Sequence, residues 1–354
     1  MVLILNNEEV EQILTMELCL EAMETTFREL AEGRAVNRPR SHTYVPLSTG
    51  KYYLFKSMDG AVPRYGAHAL RFSSDIVEEN IFRGRKRREK LPALPGKRWF
   101  GLILLFDIHN GELLAILQDG FLQRMRVGAT SGVAAKFLSR PESRVVGLFG
   151  TGWQAGAQLL ALSKIRSLEG IKVYSPNPDN LTKFAHEWSD KLGVEVHPVS
   201  SKAVVEGSDI VVCATNSLEP VFDGHWLKPG THINSVAGYE LDAYCYEICS
   251  LNVVRMKELS THWWMGGSIP GEVKGIKKLG REDKKKIVTL GDVVTGQTKR
   301  TNHEEITIFS GSGSGGSSGL GVQFAFAVEI YKQALAKGLG KQLPLEWLTE
   351  TVHP

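Results

Sequence analysis

Residues 147–160 read GLFGTGWQAGAQLL, and Gly150, Gly152 and Ala155 fall on the Gly-x-Gly-x-x-Gly/Ala spacing that lets bare backbone press against a dinucleotide pyrophosphate. Gly150 permits a tight turn, Gly152 the close approach of a phosphate, and Ala155 the close packing of helix on strand. A helix starts inside the motif, so the anion would rest on N–H groups of a helix N-terminus, with Thr151, Trp153 and Gln154 supplying the intervening backbone. Glycine pairs are common in ordinary turns, and context decides between the readings. Here the apolar run RVVGLF (144–149) leads straight into Gly150.

The next strand, IKVYS (171–175), governs the adenosine end. Where the ribose keeps a free 2′-hydroxyl, that strand ends on Asp or Glu. This one continues VYSPNPDN, with Ser175 and Asn177 in place of the acid. An acid would repel a 2′-phosphate, whereas Ser and Asn can donate hydrogen bonds to it. No arginine adjoins them in sequence, and Lys183 lies two turns into the following helix. The pattern predicts NAD(P) and favours NADP over NAD. At the end of the fourth strand, CATNS (213–217) sets Thr215, Asn216 and Ser217 where ligands bind in such folds, although an ordinary strand-to-turn exit uses the same residue types.

These loops need a frame that presents strand ends along one edge. From Ser143 the runs VEVHP (194–198), DIVVCAT (209–215), THINSV (231–236) and LNVVRM (251–256) follow, with helical QAGAQLLALSKI and NLTKFAHEWSDKL between the early strands. Near-continuous apolar strands alternating with helices predict a doubly wound parallel sheet covered on both faces. Before about residue 125 the pattern differs. Met16, Leu20, Met23, Phe27 and Leu30 form one face of a helix that Gly33 stops, and HTYVPL, KYYLFKS, GAHALRFSS and FGLILLFDIHNGELLAIL read as strands, the last a hairpin turning at HNG. RVGATSGVAAKFLSR reads as a helix burying Val133, Phe137 and Leu138. After the glycine-serine stretch at 310–321, VQFAFAVEIYKQALAKGLG is an amphipathic helix expected to pack back on the first part of the chain.

Composition narrows the function classes. A net charge of +3 over 354 residues does not argue for nucleic acid, and RGRKRREK (83–90) and KGIKKLGREDKKK (274–286) read as solvated loops. Cys19, Cys213, Cys245 and Cys249 show no CxxC pair and no histidines at zinc spacing, so no metal is expected. The N-terminus has no basic segment or cleavage site of a signal peptide, and no apolar run is long enough to span a bilayer. A cytoplasmic protein without membrane attachment is the expectation.

LQRMRVGATSGVAAKFLS ahead of VVGLFGTGWQAGAQL, then ATNSLEPVFDGHWLKPGTHINSVAG and EITIFSGSG, resemble in the same order the ornithine cyclodeaminase/mu-crystallin family over most of the chain. The resemblance implies an α/β fold: a Rossmann-type sheet, residues 126–317, binding NAD(P), inserted in a discontinuous α+β domain, residues 1–125 plus 318–354, that binds substrate and forms a homodimer. The family's substrate-carboxylate arginine falls on Arg126 in MRVGAT, where the alternative is a structural ion pair at a helix start. A second substrate arginine falls in NRPRSH, on Arg40 or Arg38. The family's active-site lysine falls in YGAHALRFSSD, on Arg71 or on His68. Arginine keeps the charge and the grip on a carboxylate but does not readily release a proton. That leaves His68 and Lys56 as candidate proton carriers, each equally readable as a satisfied structural residue. Val236 and Gly238, and the family's Phe-x-Ser-x-Gly stretch with Ser310, Ser312 or Gly313, are expected at the cofactor.

One departure is chemical. Ornithine cyclodeaminase carries a catalytic aspartate in the glycine-rich turn after the fifth strand, and INSVAGYELDAY has none there; Glu240 and Asp242 match a later Glu-Leu-Asp that supports structure. The expected function is an NAD(P)-dependent imine reductase or amino-acid dehydrogenase, moving hydride to or from the α-carbon of an imino/amino or keto acid. Two alternatives stand beside it: an ornithine cyclodeaminase-like ammonia-lyase, which the missing aspartate opposes, and a non-catalytic NADP-binding protein like mu-crystallin.

Overall fold

The computed structural model describes residues 1–352 except 49, 259, 266–286 and 311–318. The chain opens with β1 (Val2–Leu5), α1 (Asn7–Glu11) and α2 (Met16–Ala31). Six strands follow: β2 (Val36–Ser48), β3 (Lys51–Val62), β4 (Ala67–Phe82), β5 (Arg85–Leu91), β6 (Phe100–Asp107) and β7 (Leu113–Gln118). After α3 (Gly120–Leu138) come β8 (Val145–Phe149), α4 (Trp153–Ile165), β9 (Gly170–Tyr174), α5 (Pro178–Leu192), β10 (Val196–Pro198), α6 (Ser201–Val205), β11 (Ile210–Cys213), β12 (His232–Ser235), α7 (Ala243–Ile248) and β13 (Leu251–Val254). The remainder holds β14 (Thr261–Trp264), β15 (Ile287–Thr289), α8 (Leu290–Val294), β16 (Thr307–Ser310), α9 (Ala327–Lys337) and β17 (Lys341–Leu343).

Among the described residues the strands form two sheets. The second runs β10-β9-β8-β11-β12-β16-β13-β15 with every pair parallel. Its first five strands have the 3-2-1-4-5 order of a Rossmann-type sheet, β16 rather than β13 takes the sixth place, and the order reverses at β8, which lies between β9 and β11. Apolar clusters cover both faces: Leu159, Phe184 and Trp188 pack on one, Val204, Cys245 and Tyr246 on the other.

The first sheet runs β14-β2-β3-β4-β6-β7-β1-β17, with β5 paired to β4. β1 joins β7 in parallel and β17 antiparallel, so the two ends of the chain close one sheet, as a discontinuous unit requires. α2 and α3 lie against its Ala69, Ile103 and Leu105 face and share a core with Val253 and Phe309 of the second sheet. α3 is buried on nearly every side, and its small residues allow this: a Cβ on Gly128 would lie 2.4 Å from the Ala157 carbonyl oxygen of α4.

Two expectations need correction. RGRKRREK is no solvated loop: Arg85–Leu91 is β5, paired along its length with β4. The second basic run, 274–286, lies outside the described residues. Thr261–Trp264, expected in the 126–317 unit, adds in parallel to β2 of the first sheet. Ring stacking explains the transfer: Trp264 lies 3.8 Å from Tyr44 and His262 4.4 Å from His42, centroid to centroid.

The C-terminal segment returns to the first sheet through a contact that only glycine permits. A Cβ on Gly321 would sit 2.1 Å from the Asp59 backbone of β3. Gly321→Ala should therefore cost about 1–3 kcal/mol and lower Tm by several degrees. An unchanged Tm in a thermal melt would show that this crossing carries no strain.

Candidate active site

The glycine loop has the geometry its spacing predicts. Gly150 takes φ +102°, its N–H donates to Tyr174 O at 2.9 Å, and a Cβ there would lie 2.4 Å from Ala214 O. Gly152 is the N-cap of α4 and offers no capping side chain. A Cβ on it would meet nothing within 4 Å among the described residues. The backbone from Gly150 through Thr151, Gly152, Trp153 and Gln154 to Ala155 thus fits a pyrophosphate at the switch point of the sheet. Ala155 is fully buried in one cluster with Val146 and Leu148 of β8, and the next residue is tight against α5: a Cβ on Gly156 would lie 1.9 Å from the Trp188 ring. The Trp153 ring is stacked under the Arg124 guanidinium at 4.0 Å.

The loops after β11 and β12 are tied together by one buried carboxylate. Glu240 accepts hydrogen bonds from Thr215 N (2.6 Å), Thr215 Oγ1 (2.8 Å), Ser235 Oγ (2.9 Å) and Ala237 N (3.0 Å). Burial pushes its pKa up, against the pull of these donors. Asp242 caps α7 through Cys245 N at 2.9 Å and accepts from Gly224 N at 2.8 Å. Both carboxylates are thus engaged in shaping loops. Val236 N donates to Cys213 O at 2.9 Å, and Gly238, at φ +77°, donates to Ser235 Oγ at 3.0 Å. Ser217 Oγ donates to Glu219 O at 2.7 Å, so it is occupied within its own loop, and Asn216 O accepts from Arg88 N. Asn177 caps α5, accepting from Asn180 N at 3.2 Å, beside Ser175. Ser310 is buried at the end of β16; Ser312 and Gly313 lie outside the described residues.

The arginines Arg126, Arg255, Arg71 and Arg40 form a cluster close enough for their charges to act on one another. Arg126 is 1 % exposed, and its acceptors among the described residues are amide oxygens: Gln123 Oε1 at 2.8 and 3.1 Å, and Gln323 Oε1 at 2.8 Å. It lies in the second turn of α3 and has no helix-start ion pair. Burial, then the charges of Arg255, Arg71 and Arg40, hold its proton affinity well below that of an ordinary arginine. Burial followed by Arg71 lowers Arg40 to about 10, and burial followed by Arg40 lowers Arg255 to about 9. Arg255, one residue past β13, was not singled out in the sequence. Arg71 differs from the rest: Asp119 Oδ2 accepts from its Nε at 2.7 Å and a terminal nitrogen at 2.5 Å. Its charge is already matched by Asp119, whereas the acceptors of Arg126 among the described residues are neutral amide oxygens.

Lys56 belongs to the same face of the first sheet, opposite Ser73 and His42 in register. Its Nζ lies 3.3 Å from Asp75, which also pairs with Lys90 at 2.9 Å. Burial, then Lys90, presses the Lys56 pKa well below its ordinary value, with Asp75 pulling the other way. His42 stands beside it, held neutral by burial at a pKa of about 2. His68 does not join them. An odd separation along β4 puts His68 and Arg71 on opposite faces, and His68 lies 3.7 Å from Asp59 on the far side with Arg38. Of the two arginines in NRPRSH, the structure brings Arg40 to the cluster and leaves Arg38 outside.

The sequence pattern of the ornithine cyclodeaminase/mu-crystallin family matches residues 2–338. The chain is 31% identical to an alanine dehydrogenase of Archaeoglobus fulgidus over 353 residues, 96% of this chain and 98% of that protein. It superposes on the Thermococcus litoralis Δ1-pyrroline-2-carboxylate reductase, solved with NADH and L-proline, with a TM-score of 0.78 and 32% identity over 97% of this chain and 100% of that one. An archaeal alanine dehydrogenase dimer with bound NAD gives a TM-score of 0.77 at 26% identity, over 97% and 99% of the two chains. Sequence pattern, fold and glycine loop agree: this chain is a member of the ornithine cyclodeaminase/mu-crystallin family.

Proposed function

We propose that the protein is an NAD(P)-dependent imine reductase or amino-acid dehydrogenase whose buried arginines hold the carboxylate of a 2-imino or 2-amino acid. The observation that carries this reading is Arg126, buried with an unmatched charge and fixed by two glutamine oxygens. A planar guanidinium suits a carboxylate bidentately and so fixes the α-carbon beside it. The related proteins act in the same sense, being named alanine dehydrogenase, Δ1-pyrroline-2-carboxylate reductase and ketimine reductase mu-crystallin. The cofactor, held by the Gly150–Ala155 backbone, supplies or accepts hydride. Ser175 and Asn177 favour NADP as that cofactor.

The residues around the substrate do the rest. Arg126, with Arg40 and Arg255, binds the carboxylate; Arg71 and Asp119 form the neutral pair that braces β4 against the start of α3. Lys56 gives a proton to the imine nitrogen as the C–N double bond becomes single, and takes one back in the oxidative direction. The deep placement of Arg126 and Lys56 keeps water from this exchange. Cyclodeamination finds no support, because the carboxylates in the turn after β12 hold loops.

We also assign the 126–317 unit to the cofactor and the discontinuous remainder to substrate and dimerisation, with Thr261–Trp264 lent to the latter. A second copy is the occupant that fits the outer face of the first sheet. Phe55, Leu70, Phe72, Leu102, Leu104 and Phe106 stand there half-buried while the helices cover the other face. The similar alanine dehydrogenase is a dimer. No helix among the described residues is long and apolar enough to cross a membrane, and all four cysteines are buried outside any disulfide, which agrees with a reducing, cytoplasmic setting.

Three measurements check this reading. Purified protein should oxidise NAD(P)H with some member of a panel of cyclic imino acids, or of 2-keto acids with ammonia or methylamine; no oxidation across the panel would sink the proposal. Arg126→Lys should lower kcat/KM by roughly 100-fold or more while nucleotide affinity is kept; equal activity would remove Arg126 from the site. In the reductive direction kcat/KM should fall as pH rises through a pKa below that of an ordinary lysine, because protonated Lys56 is the donor, and Lys56→Met should abolish that limb. Separately, light scattering should find a dimer that Phe72→Asp converts to monomer; a monomeric native protein would contradict the dimer assignment.

A further inference from the structure

The β4–β5 hairpin leaves the first sheet and lies against the second at the adenosine end of the cofactor site. β5 pairs with the loop after β11: Arg88 N donates to Asn216 O at 3.1 Å, Leu218 N donates to Lys86 O at 3.0 Å, and Arg87 bridges Ser217. Arg85 donates to Pro220 O at 2.7 Å. On the other side of the switch point, the Arg83 guanidinium donates to Pro176 O, between Ser175 and Asn177. One hairpin therefore touches both loops that border the adenosine half of a dinucleotide in this strand order.

The turn itself is unusual. Arg83 and Gly84 connect the strands with φ of +49° and +78°, the two-residue geometry that favours Asn, Asp or Gly at its first position. A long cationic side chain there carries backbone strain, and such strain persists where a side chain serves a function. The turn segment Phe82–Lys86 holds three cations and no acid. Its conformation is braced by Arg87, stacked 4.2 Å over the Phe82 ring and bonded to Asn80 at 2.8 Å and Glu89 at 2.9 Å.

We propose that Arg83 is the 2′-phosphate-binding residue of this protein, so that the first sheet supplies through a hairpin the cation that the loop after β9 lacks. The inference rests on the dinucleotide reading and names what would select NADP(H) over NAD(H). A guanidinium has five N–H donors, and Pro176 O takes one, so several remain for a phosphate dianion. Ser175 Oγ and the Asn177 amide stand on the same loop, and Asn177 Oδ1 is turned inward to the Asn180 N–H, which leaves its Nδ2 end as donor.

The test is calorimetric titration of the full-length protein with NADPH and NADH. The native protein should bind NADPH the more tightly. Arg83→Gly, which also relieves the positive φ and so cannot be blamed on the turn, should weaken NADPH roughly tenfold or more and leave NADH within about twofold. Arg83→Lys should retain part of the preference, and 2′-AMP should compete better than 5′-AMP only while Arg83 is present. A native preference for NADPH that Arg83→Gly leaves intact would overturn the role of Arg83 and keep the NADP reading. A native preference for NADH would overturn both.

Discussion

The guanidinium of Arg126 is fully enclosed, yet it meets two amide oxygens where an ordinary buried arginine would meet a carboxylate. Arg40 and Arg255 press their charges on it from β2 and from the end of β13, and Asp119 neutralises only Arg71. Withdrawing charges from water without matching them costs several kcal/mol per ion. In the proposed reading an incoming carboxylate supplies a charge that Gln123 and Gln323 lack, which would couple substrate binding to stability of the folded state.

The same helix that carries Arg126 sets its distance from the cofactor. α3 packs on α4 so closely that Gly128 and Gly132 have no room for a Cβ, against Ala157 and Ala161. The N-terminus of α4 is the proposed pyrophosphate cradle, so in that reading one helix pair would hold both ends of the reacting assembly. Glu240 does the corresponding work for the loops, joining the ends of β11 and β12 through four donors. The chemistry then needs little from flexible parts of the chain: the anion site and the anion-binding backbone are both built into the core.

What could be read from sequence was local. The glycine loop announced itself because a positive φ at Gly150 and the run of apolar residues before it act over a few positions. The parallel sheet followed from unbroken apolar strands, and membership of the family from the motifs that carry the resemblance. What escaped depends on distant pairing. Arg255 and His262 acquire meaning only when the end of β13 and the β14 segment are brought against the first sheet. The Asp119 partner of Arg71 comes from the far side of two strands, with Gly101 making room for it. RGRKRREK has the composition of a solvated loop, and its cross-strand partners, Glu79 opposite Arg88 and Asn80 opposite Arg87, lie on a different stretch of the sequence. The exclusion of His68 was within reach, since residues three apart on a strand face opposite ways.

The central claim is that hydride passes between nicotinamide and the α-carbon of an acid held by Arg126. It is tested most directly by supplying NADPH deuterated at C4, in each stereochemical form, with a panel of 2-imino acids and locating the label by mass spectrometry. The account predicts one deuterium on the α-carbon of the amino acid product from one of the two forms. Loss of ammonia from a diamino acid without net cofactor oxidation, or products with no deuterium at the α-carbon, would contradict it.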